Sequence, residues 1–434
     1  MSNPIHSTSA KSVLPMLAMR GLATGLCAGC VVGLLRLSHD RAAARVALWL
    51  EEWREVWWTV PIWFGVLVAL AVILRRIVRE EPLISGSGIP QTELALAGRL
   101  SFTWWRVLLA KFLGSWLALF GGLALGREGP SIQMGGAVGA GFHALWRPAA
   151  PHALTGSPYV VAGAVAGLAA AFGAPAAGVL FAFEGMKSRR DTSLIVAACA
   201  SAIGAHLMIR IVFGMGRILP FAGFEAPPLS SFWIVALEGA VFGVLGVGYN
   251  KTLLWLHDRE AGQTLIPDRW RALPPLLLAG CLALFAPLLI GGGESLIIFV
   301  GEHDVALKTL ILLLAFKYLF AQYSTVASIP GGLLMPILCL GALWGRLWAE
   351  LPVSALAAHG LASGSVQPYV LFGMVSYFAA TVRAPLTGIV LVTEMSGTYT
   401  CLPGSLLAGL IACKVANLLH CPPVYDSLKE RIRL

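Results

Sequence analysis

Residues 126–130 read Gly-Arg-Glu-Gly-Pro and stand between two long apolar runs. The run from Phe112 to Gly126 carries no charged residue, and the run after Glu128 reaches His143 without another. If these runs lie in a bilayer, Glu128 lies at membrane depth. Ionisable groups inside a membrane are costly and usually functional. This stretch therefore indicates both a membrane fold and a working site.

The composition supports a membrane protein throughout. Of 434 residues, 57% are hydrophobic and 12% are charged, whereas soluble domains carry about 25% charged residues. The mean hydropathy is +0.78. These values exclude a soluble enzyme, a secreted disulfide scaffold and a disordered protein. A β-barrel would alternate apolar and polar residues, but residues 156–183 contain no charge at all. We predict an all-α polytopic membrane protein.

The positive charge is best interpreted as a sign of orientation. The net charge is +9, and lysines and arginines collect on the cytoplasmic flanks of membrane helices. The clusters are not interleaved with aromatic residues, so we predict no nucleic-acid partner. Together with the polar first residues, they predict that both termini are cytoplasmic. The clusters are Arg75, Arg76 and Arg79; Lys187, Arg189 and Arg190; and Lys429, Arg431 and Arg433.

The apolar windows predict two membrane repeats with interrupted helices. Several windows are shorter than the roughly 20 residues that cross a bilayer, and glycine and proline separate them. We predict a cytoplasmic segment at 1–12, repeats at 13–215 and 216–420, and a pore-lining segment at 421–434 that ends in the cytoplasm. The windows are 13–36, 57–78, 103–124, 131–146, 158–171, 174–186, 192–214, 232–256, 272–291, 307–324, 334–349, 367–381, 385–397 and 402–420.

Two pairs of segments support the repeat. Residues 174–179 lead to Glu184, and residues 384–389 lead to Glu394, with the same proline-to-glutamate spacing in both. Repeated halves with broken helices are typical of transporters, whose substrate site lies between the repeats. The sequence alone leaves open whether the repeats are inverted. A second pair matches Pro130, Gly135 and Gly139 to Pro336, Gly341 and Gly345.

Three glycine–proline breaks, at 86–90, 126–130 and 332–336, are candidates for an anion site. Proline suits the first turn of a helix, and the free amides and dipole of a helix start favour an anion. Three such starts directed at one point would replace an anion's hydration shell without a fixed full charge. Each break alone is equally well interpreted as a turn. Their combination within a repeat favours the anion site.

Glu128 is the sharpest single candidate. An ion pair with Arg127 is the structural alternative, but adjacent helical residues do not face each other. As a functional residue, Glu128 would be a titratable plug. When ionised, its carboxylate would occupy the amide-lined site; when protonated, it would swing away and admit the substrate anion. One residue would then couple anion access to proton binding.

Metal and cofactor chemistry are not indicated. Cys27 and Cys30 form a CxxC motif among small residues, where packing at a helix contact explains them better than redox chemistry or a metal. The nine histidines show no ligand spacing. We expect no metal, no cofactor and no catalytic residue, and a membrane-embedded enzyme ranks far behind a transporter.

At these residues the sequence resembles the CLC family of chloride channels and chloride/proton exchangers. The hallmark segments GSGIP, GREGP and GxFxP correspond to residues 86–90, 126–130 and 332–336 in the family order. Residues 383–388 are also family-like, and Tyr425 matches a tyrosine near the family's C-terminus. The resemblance runs from about residue 20 to the end. Because nine residues follow Tyr425, we expect a bacterial-type member without cytoplasmic regulatory domains.

The resemblance implies specific roles. Ser87 would offer its hydroxyl to a central chloride, and Tyr425 its phenol from the cytoplasmic side. The amides of Leu333 and Leu334 would complete that site, and Glu128 would be the external gate. Family members are homodimers with one pore in each subunit. The loops around the anion would include Gly86, Gly88, Ile89, Gly129 and Gly332.

Two further residues are expected to support the pathway. Lys111, within an apolar run, resembles a family lysine near the pathway, and Glu93 is its expected partner. Ser87 favours chloride over fluoride, with other monovalent anions also accommodated.

Two positions depart from the family pattern. Leu334 replaces the usual phenylalanine, which changes the apolar wall but not the coordinating amide. Gly185 stands where exchangers carry an inner glutamate that relays protons. The adjacent Glu184 points about 100° away on a helix, so we favour a structural role for it, near Lys187 or at the subunit contact.

Chloride/proton exchange at a bacterial inner membrane is therefore the preferred function. The gate chemistry is intact, and water would carry protons where the inner glutamate is missing. A passive chloride channel is the alternative, and Gly185 is its best support.

Overall fold

Helices make up the fold, with irregular segments where the sequence predicts breaks. The computed structural model describes residues 6–51, 56–150, 152–188, 191–221, 224–358 and 366–432. Residues 1–5 of the predicted N-terminal segment, and Arg189, Arg190 and Arg433 of the cationic clusters, lie outside the described residues. The helices are α1 (His6–Glu51), α2 (Thr59–Glu80), α3 (Ile89–Leu96), α4 (Trp104–Phe120), α5 (Glu128–Trp146), α6 (Pro158–Phe172), α7 (Pro175–Glu184), α8 (Thr192–Leu207), α9 (Phe232–Gly262), α10 (Leu273–Phe285), α11 (Glu294–Glu302), α12 (Leu307–Val326), α13 (Leu334–Trp348), α14 (Ser354–Ala358), α15 (Gln367–Val382), α16 (Pro385–Ser396), α17 (Leu402–Leu418) and α18 (Val424–Glu430).

The predicted apolar windows agree with the long helices. Seven helical segments in the described part of the chain are long and apolar enough to cross a membrane. The largest difference is α1, predicted to end at residue 36 but continuing to Glu51. Helices α3, α11 and α18 have eight, nine and seven residues. They were missed because such short helices do not fill a spanning window.

The gaps between the predicted windows at 171–174 and at 381–385 have the same backbone geometry. Gly173, with φ +65°, follows the end of α6, and α7 begins at Pro175. Arg383, with φ +63°, follows the end of α15, and α16 begins at Pro385. A left-handed residue closes a helix and proline starts the next one. Arg383 tolerates this conformation because its guanidinium binds Asn417 and the carbonyl of Cys421.

Helices α7 and α16 cap each other. The Glu184 carboxylate, at the end of α7, accepts hydrogen bonds from the amides of Leu386 and Thr387 at 3.1 and 2.7 Å. The Glu394 carboxylate of α16 accepts bonds from the first amides of α7, at Ala176 and Ala177. Each helix end meets the other helix start, so α7 and α16 run antiparallel. The two halves are therefore related by an operation that reverses helix direction.

Helices α6 and α15 form the buried centre of each half. Every residue at 159–172 and at 368–382 is buried. Helix α5 packs on α6, and α13 on α15, at glycines where an added Cβ would collide with a backbone carbonyl of the partner. The glycines that match between the two halves in sequence therefore make the same kind of helix contact in each half. The colliding pairs are Gly135 with Gly163, Gly139 with Tyr159, Gly341 with Gly373, and Gly345 with Tyr369, at 2.0–2.6 Å.

Candidate anion site

The three glycine–proline breaks meet at one place. Gly126 and Gly332 exchange backbone hydrogen bonds of 2.6 Å in both directions. The amide of Gly331 donates to the carbonyl of Gly86 at 3.0 Å. A Cβ on Gly129 would stand 2.8 Å from the Cβ of Ser87 and 3.1 Å from the Cα of Gly332. The loops that were expected to surround an anion are therefore in direct backbone contact.

The starts of α5 and α13 keep their amide donors free of capping side chains, whereas the first amide of α3, at Ile89, binds the Ser87 hydroxyl. Helices α3, α5 and α13 begin after Gly88, Arg127 and Leu333, and none of these cap residues makes a side-chain capping bond. The first amides of a helix have no partner within the helix. Uncapped starts close together create a concentrated positive potential without a fixed cation. This arrangement suits a small anion.

Ser87 lies at the meeting point, beside Gly129. Its side chain is buried, and its hydroxyl oxygen accepts a bond from the amide of Ile89 at 3.3 Å. The hydroxyl hydrogen remains available to donate. Gly88 has φ +85°, and a Cβ there would stand 2.2 Å from Gln133 Oε1. Glycine is therefore required beside Ser87 for both conformation and space.

Glu128 is the first residue of α5 and is completely buried. Its carboxyl lies over Gly126, where an added Cβ would stand 2.0 Å from Oε2. The backbone amides of Glu128 itself and of Met335, at the start of α13, lie beside it. Within the described part of the chain, neither carboxyl oxygen has a donor in hydrogen-bond geometry. A carboxylate placed among amide donors has the position that an anion would take.

The Arg127 guanidinium binds two carboxylates other than Glu128. Its guanidinium donates to Asp40 at 3.1 Å and to Glu294 at 2.6 Å. It therefore joins α1 to the start of α11 and stabilises the backbone around Glu128. This geometry argues against the alternative in which Arg127 pairs with its neighbour Glu128.

A cavity of about 650 Å³ leads to Glu128. Its polar lining combines the Arg127 cluster with His39 and the glycine-rich loop at 291–293. Its apolar lining includes Leu119 and Phe120. The cavity gives Glu128 a route to solvent from one side of the protein.

Lys111 is completely buried, but its partner is not the expected Glu93. Its ammonium donates to the carbonyls of Ile84 and Gly86, both at 2.7 Å. Carbonyls are the partners because the loop before α3 folds back over the middle of α4. Lys111 thus holds the loop that carries Ser87.

Lys317 makes the same contacts in the second half and was missed. It is completely buried in α12 and donates to the carbonyls of Leu289 and Gly291 at 2.9 and 2.7 Å. The signal was present, since Lys317 stands within an apolar run as Lys111 does.

Glu93 pairs with Lys429 instead. The Lys429 ammonium lies 2.6 Å from Glu93 Oε2 and 3.2 Å from Asp426 Oδ1. Lys429 and Asp426 lie on α18, the helix that carries Tyr425. The pairing joins α3 to α18 across most of the chain, and local sequence spacing gives no sign of it.

Tyr425 lies on α18 and is 3% exposed. Its ring belongs to the same apolar core as Ile89, Leu333 and Leu334. Among the described residues its hydroxyl has no hydrogen-bond partner. It lies within electrostatic reach of Glu128, so Tyr425 joins the neighbourhood of the three breaks.

Two tyrosines beside this site were not predicted. Tyr249 and Tyr377 are completely buried, with ring centroids 5.8 Å apart. Neither hydroxyl has a partner in the described part of the chain. Their sequence surroundings are apolar helices, so only the packing of α9 on α15 reveals them.

Lys187 was one expected neighbour of Glu184, but the two side chains do not pair. The Glu184 carboxylate is used by the start of α16, and Lys187 pairs with Asp426 at 2.5 Å. At Gly185 an added Cβ would stand 2.3 Å from the ring of Phe181. The ring occupies the space that a side chain at 185 needs.

A helical membrane fold in two opposed halves, with uncapped helix starts beside a buried carboxyl, defines a membrane transport protein. The chain belongs to the voltage gated chloride channel family, whose model matches residues 64–417. The H(+)/Cl(-) exchange transporter ClcA of Vibrio campbellii is 35% identical over 416 residues, covering 93% of this chain and 87% of that protein. ClcA of Vibrio cholerae is 34% identical over 419 residues, covering 94% and 88%.

The fold also matches a solved structure over nearly its full length. A slow cyanobacterial Cl-/H+ antiporter is similar with a TM-score of 0.86 at 28% sequence identity. The match covers 95% of this chain and 97% of that one. The expected CLC-like fold is confirmed.

Proposed function

We propose that this protein exchanges chloride for protons across the membrane, with Glu128 as the gate. The similarity to relatives named H(+)/Cl(-) exchange transporters supports exchange. The passive channel is less well supported, because it depends on Gly185 alone. At that position the ring of Phe181 fills the space of a side chain.

One observation carries the proposal: a completely buried carboxyl stands at the meeting of uncapped helix starts and at the end of a solvent cavity. When Glu128 is ionised, its carboxylate competes with chloride for the same amide donors. When a proton arrives through the cavity, Glu128 becomes neutral and no longer competes. Chloride and a proton are therefore bound in alternation, which is the basis of exchange.

The chloride would be held by the Ser87 hydroxyl, the amides of Leu333 and Leu334, and the phenol of Tyr425. The loops at Gly86, Gly88, Ile89, Gly129 and Gly332 would let the backbone approach the ion. Neutral donors suit transport, because binding must be weak enough for release. Lys111 supports this site through the loop that it holds. The hydroxyl at Ser87 favours chloride, with other monovalent anions as secondary substrates.

We further propose the setting of this site. The chain would form a homodimer with one pore per subunit in a bacterial inner membrane, with both termini in the cytoplasm. The halves would be 13–215 and 216–420, after a cytoplasmic segment at 1–12 and before a pore-lining segment at 421–434. Cysteine-labelling from each side of the membrane tests the orientation, and cross-linking in lipid tests the dimer.

Reconstitution in liposomes tests exchange directly. Vesicles loaded with high chloride are placed in low chloride at equal pH, and the external pH and chloride are followed together. We expect chloride efflux to drive protons inward, raising the external pH against the developing gradient. Chloride efflux with no proton movement would contradict exchange and identify a channel. Empty vesicles with a proton carrier provide the control for leak.

A further inference from the structure

Glu93 is a buried carboxyl that the gate mechanism does not use, and it binds α18, whose end is proposed above to lie in the cytoplasm. Resting on the exchange function above, we propose that Glu93 takes up protons from the cytoplasm and passes them toward Glu128. It would do so in place of the carboxyl missing at Gly185. Glu93 accepts a proton on its carboxylate and releases it to water or a hydroxyl, so no other reactant is needed.

The surroundings of Glu93 fit a proton acceptor. The residue is 8% exposed, and Oε2 is bound by Lys429 at 2.6 Å. The other oxygen, Oε1, has no hydrogen-bond partner in the described part of the chain. A purely structural ion pair of a buried carboxylate normally satisfies both oxygens. The free oxygen is a place where a proton binds without breaking the lysine contact.

The charges around Glu93 balance only when it is ionised. It faces Tyr425, Asp426 and Lys429 from α18, and Lys187 from the segment after α7. Lys187 and Lys429 both bind Asp426, so two cations meet two carboxylates. Protonation of Glu93 therefore leaves one positive charge in excess close to Tyr425, which favours entry of an anion.

Asp426 differs from Glu93 within this network. It lies on α18, outside the membrane-spanning helices. Burial acts to raise the pKa of the Asp426 carboxyl, but hydrogen bonds from Lys187 and Lys429 lower it below the ordinary value. Asp426 therefore stays ionised at neutral pH, and Glu93 is the carboxyl with a free oxygen.

The charged groups around Glu93 also lie where a cytoplasmic proton acceptor is needed. Lys187 follows Gly185 by two residues and lies within electrostatic reach of Glu93, which places Glu93 in the neighbourhood of the position where the resemblance expects an inner glutamate. Beyond Glu93, Tyr425 is within electrostatic reach of both Glu93 and Glu128. The hydroxyls of Tyr425 and Tyr249 have no partner among the described residues. Hydroxyls with water between them carry protons by accepting one and releasing another.

The test compares Glu93→Gln with the control Asp258→Asn. Asp258 is also a carboxylate bound by a cation of the C-terminal segment, Arg431 at 2.8 Å, but its contact is exposed and lies outside the pathway. In the liposome assay we expect Glu93→Gln to reduce proton uptake on the order of tenfold to hundredfold. Chloride flux should stay within about threefold, because the anion donors are untouched. Asp258→Asn should keep the proton-to-chloride ratio of the wild type.

Two further variants separate proton transfer from folding. Glu93→Asp keeps a carboxyl and should restore part of the proton uptake that Glu93→Gln loses. Lys429→Met removes the cation that favours the ionised form, so proton uptake should shift to higher cytoplasmic pH by about one unit or more. An unchanged proton-to-chloride ratio in Glu93→Gln, or equal loss in Glu93→Asp, would overturn the proposal. If the wild type itself moves no protons, the exchange function fails first, independently of Glu93.

Discussion

The two halves of this protein have similar backbone folds but differ at the first residue of a matching helix. Glu128 begins α5 in the first half, and Leu334 begins α13 in the second. Both helices begin within a glycine–proline break, and the two breaks are joined by backbone hydrogen bonds between Gly126 and Gly332. The amide environment is thus duplicated, whereas the titratable group is present once. The proposed gate therefore belongs to one half, and the matching position of the other half carries an apolar side chain.

The largest expected effect tests this asymmetry. Glu128→Gln removes the charge that competes with chloride, so uphill proton movement should be lost and chloride flux should become largely insensitive to external pH. The measurement is chloride and proton flux in liposomes across external pH. Glu302→Gln, at an exposed carboxylate ending α11, should retain both responses. Undiminished acid activation in Glu128→Gln would remove Glu128 from its role.

The second prediction compares the buried lysines. Lys111 and Lys317 each hold two carbonyls of a glycine loop, but only the Lys111 loop carries Ser87. Lys111→Met should weaken chloride binding about tenfold, or about 1.4 kcal/mol, as measured by calorimetry. Lys317→Met should weaken it less. Equal losses would mean that both lysines act only through their charge.

A third pair of matching positions carries side chains of opposite charge. Arg20 and Glu238 precede Gly21 and Gly239, whose added Cβ atoms would each stand 2.5 Å from a carbonyl of the partner helix. Arg20 donates to Tyr159 at 2.8 Å. Glu238 is completely buried, and within the described part of the chain neither oxygen has a partner.

These two residues should therefore respond oppositely to substitution by leucine. Glu238→Leu removes an unpaired buried carboxyl and should stabilise the protein by about 1 to 3 kcal/mol. Arg20→Leu loses a hydrogen bond and a contact with the ring of Trp146, 5.1 Å away, and should destabilise it by about 1 kcal/mol. Thermal denaturation in detergent measures both. A lower midpoint for Glu238→Leu would indicate a partner for its carboxyl.

The sequence predicts what is local and misses what is distant. The helix breaks, the matching glycines and the importance of Glu128 are predictable, because glycine and proline determine the local backbone and an isolated charge stands out in an apolar run. The partners of Lys111 and Glu93 are not predictable in this way, because loop carbonyls and Lys429 reach them only through the fold. Tyr249 is likewise not predictable, because it lies in an apolar helix and only tertiary packing brings its hydroxyl to the site.

The smallest expected effect concerns the reciprocal caps. Glu184 and Glu394 each accept two amide bonds, but Glu184 also accepts one from the Thr387 hydroxyl at 2.8 Å. Each substitution by alanine should cost about 1 kcal/mol, typical of a lost helix cap, and Glu184→Ala should cost more. The difference should vanish in a Thr387→Val background, because valine keeps the shape and removes the hydroxyl. Thermal denaturation of the four variants measures this, and a difference that survives in Thr387→Val would assign it to the halves themselves.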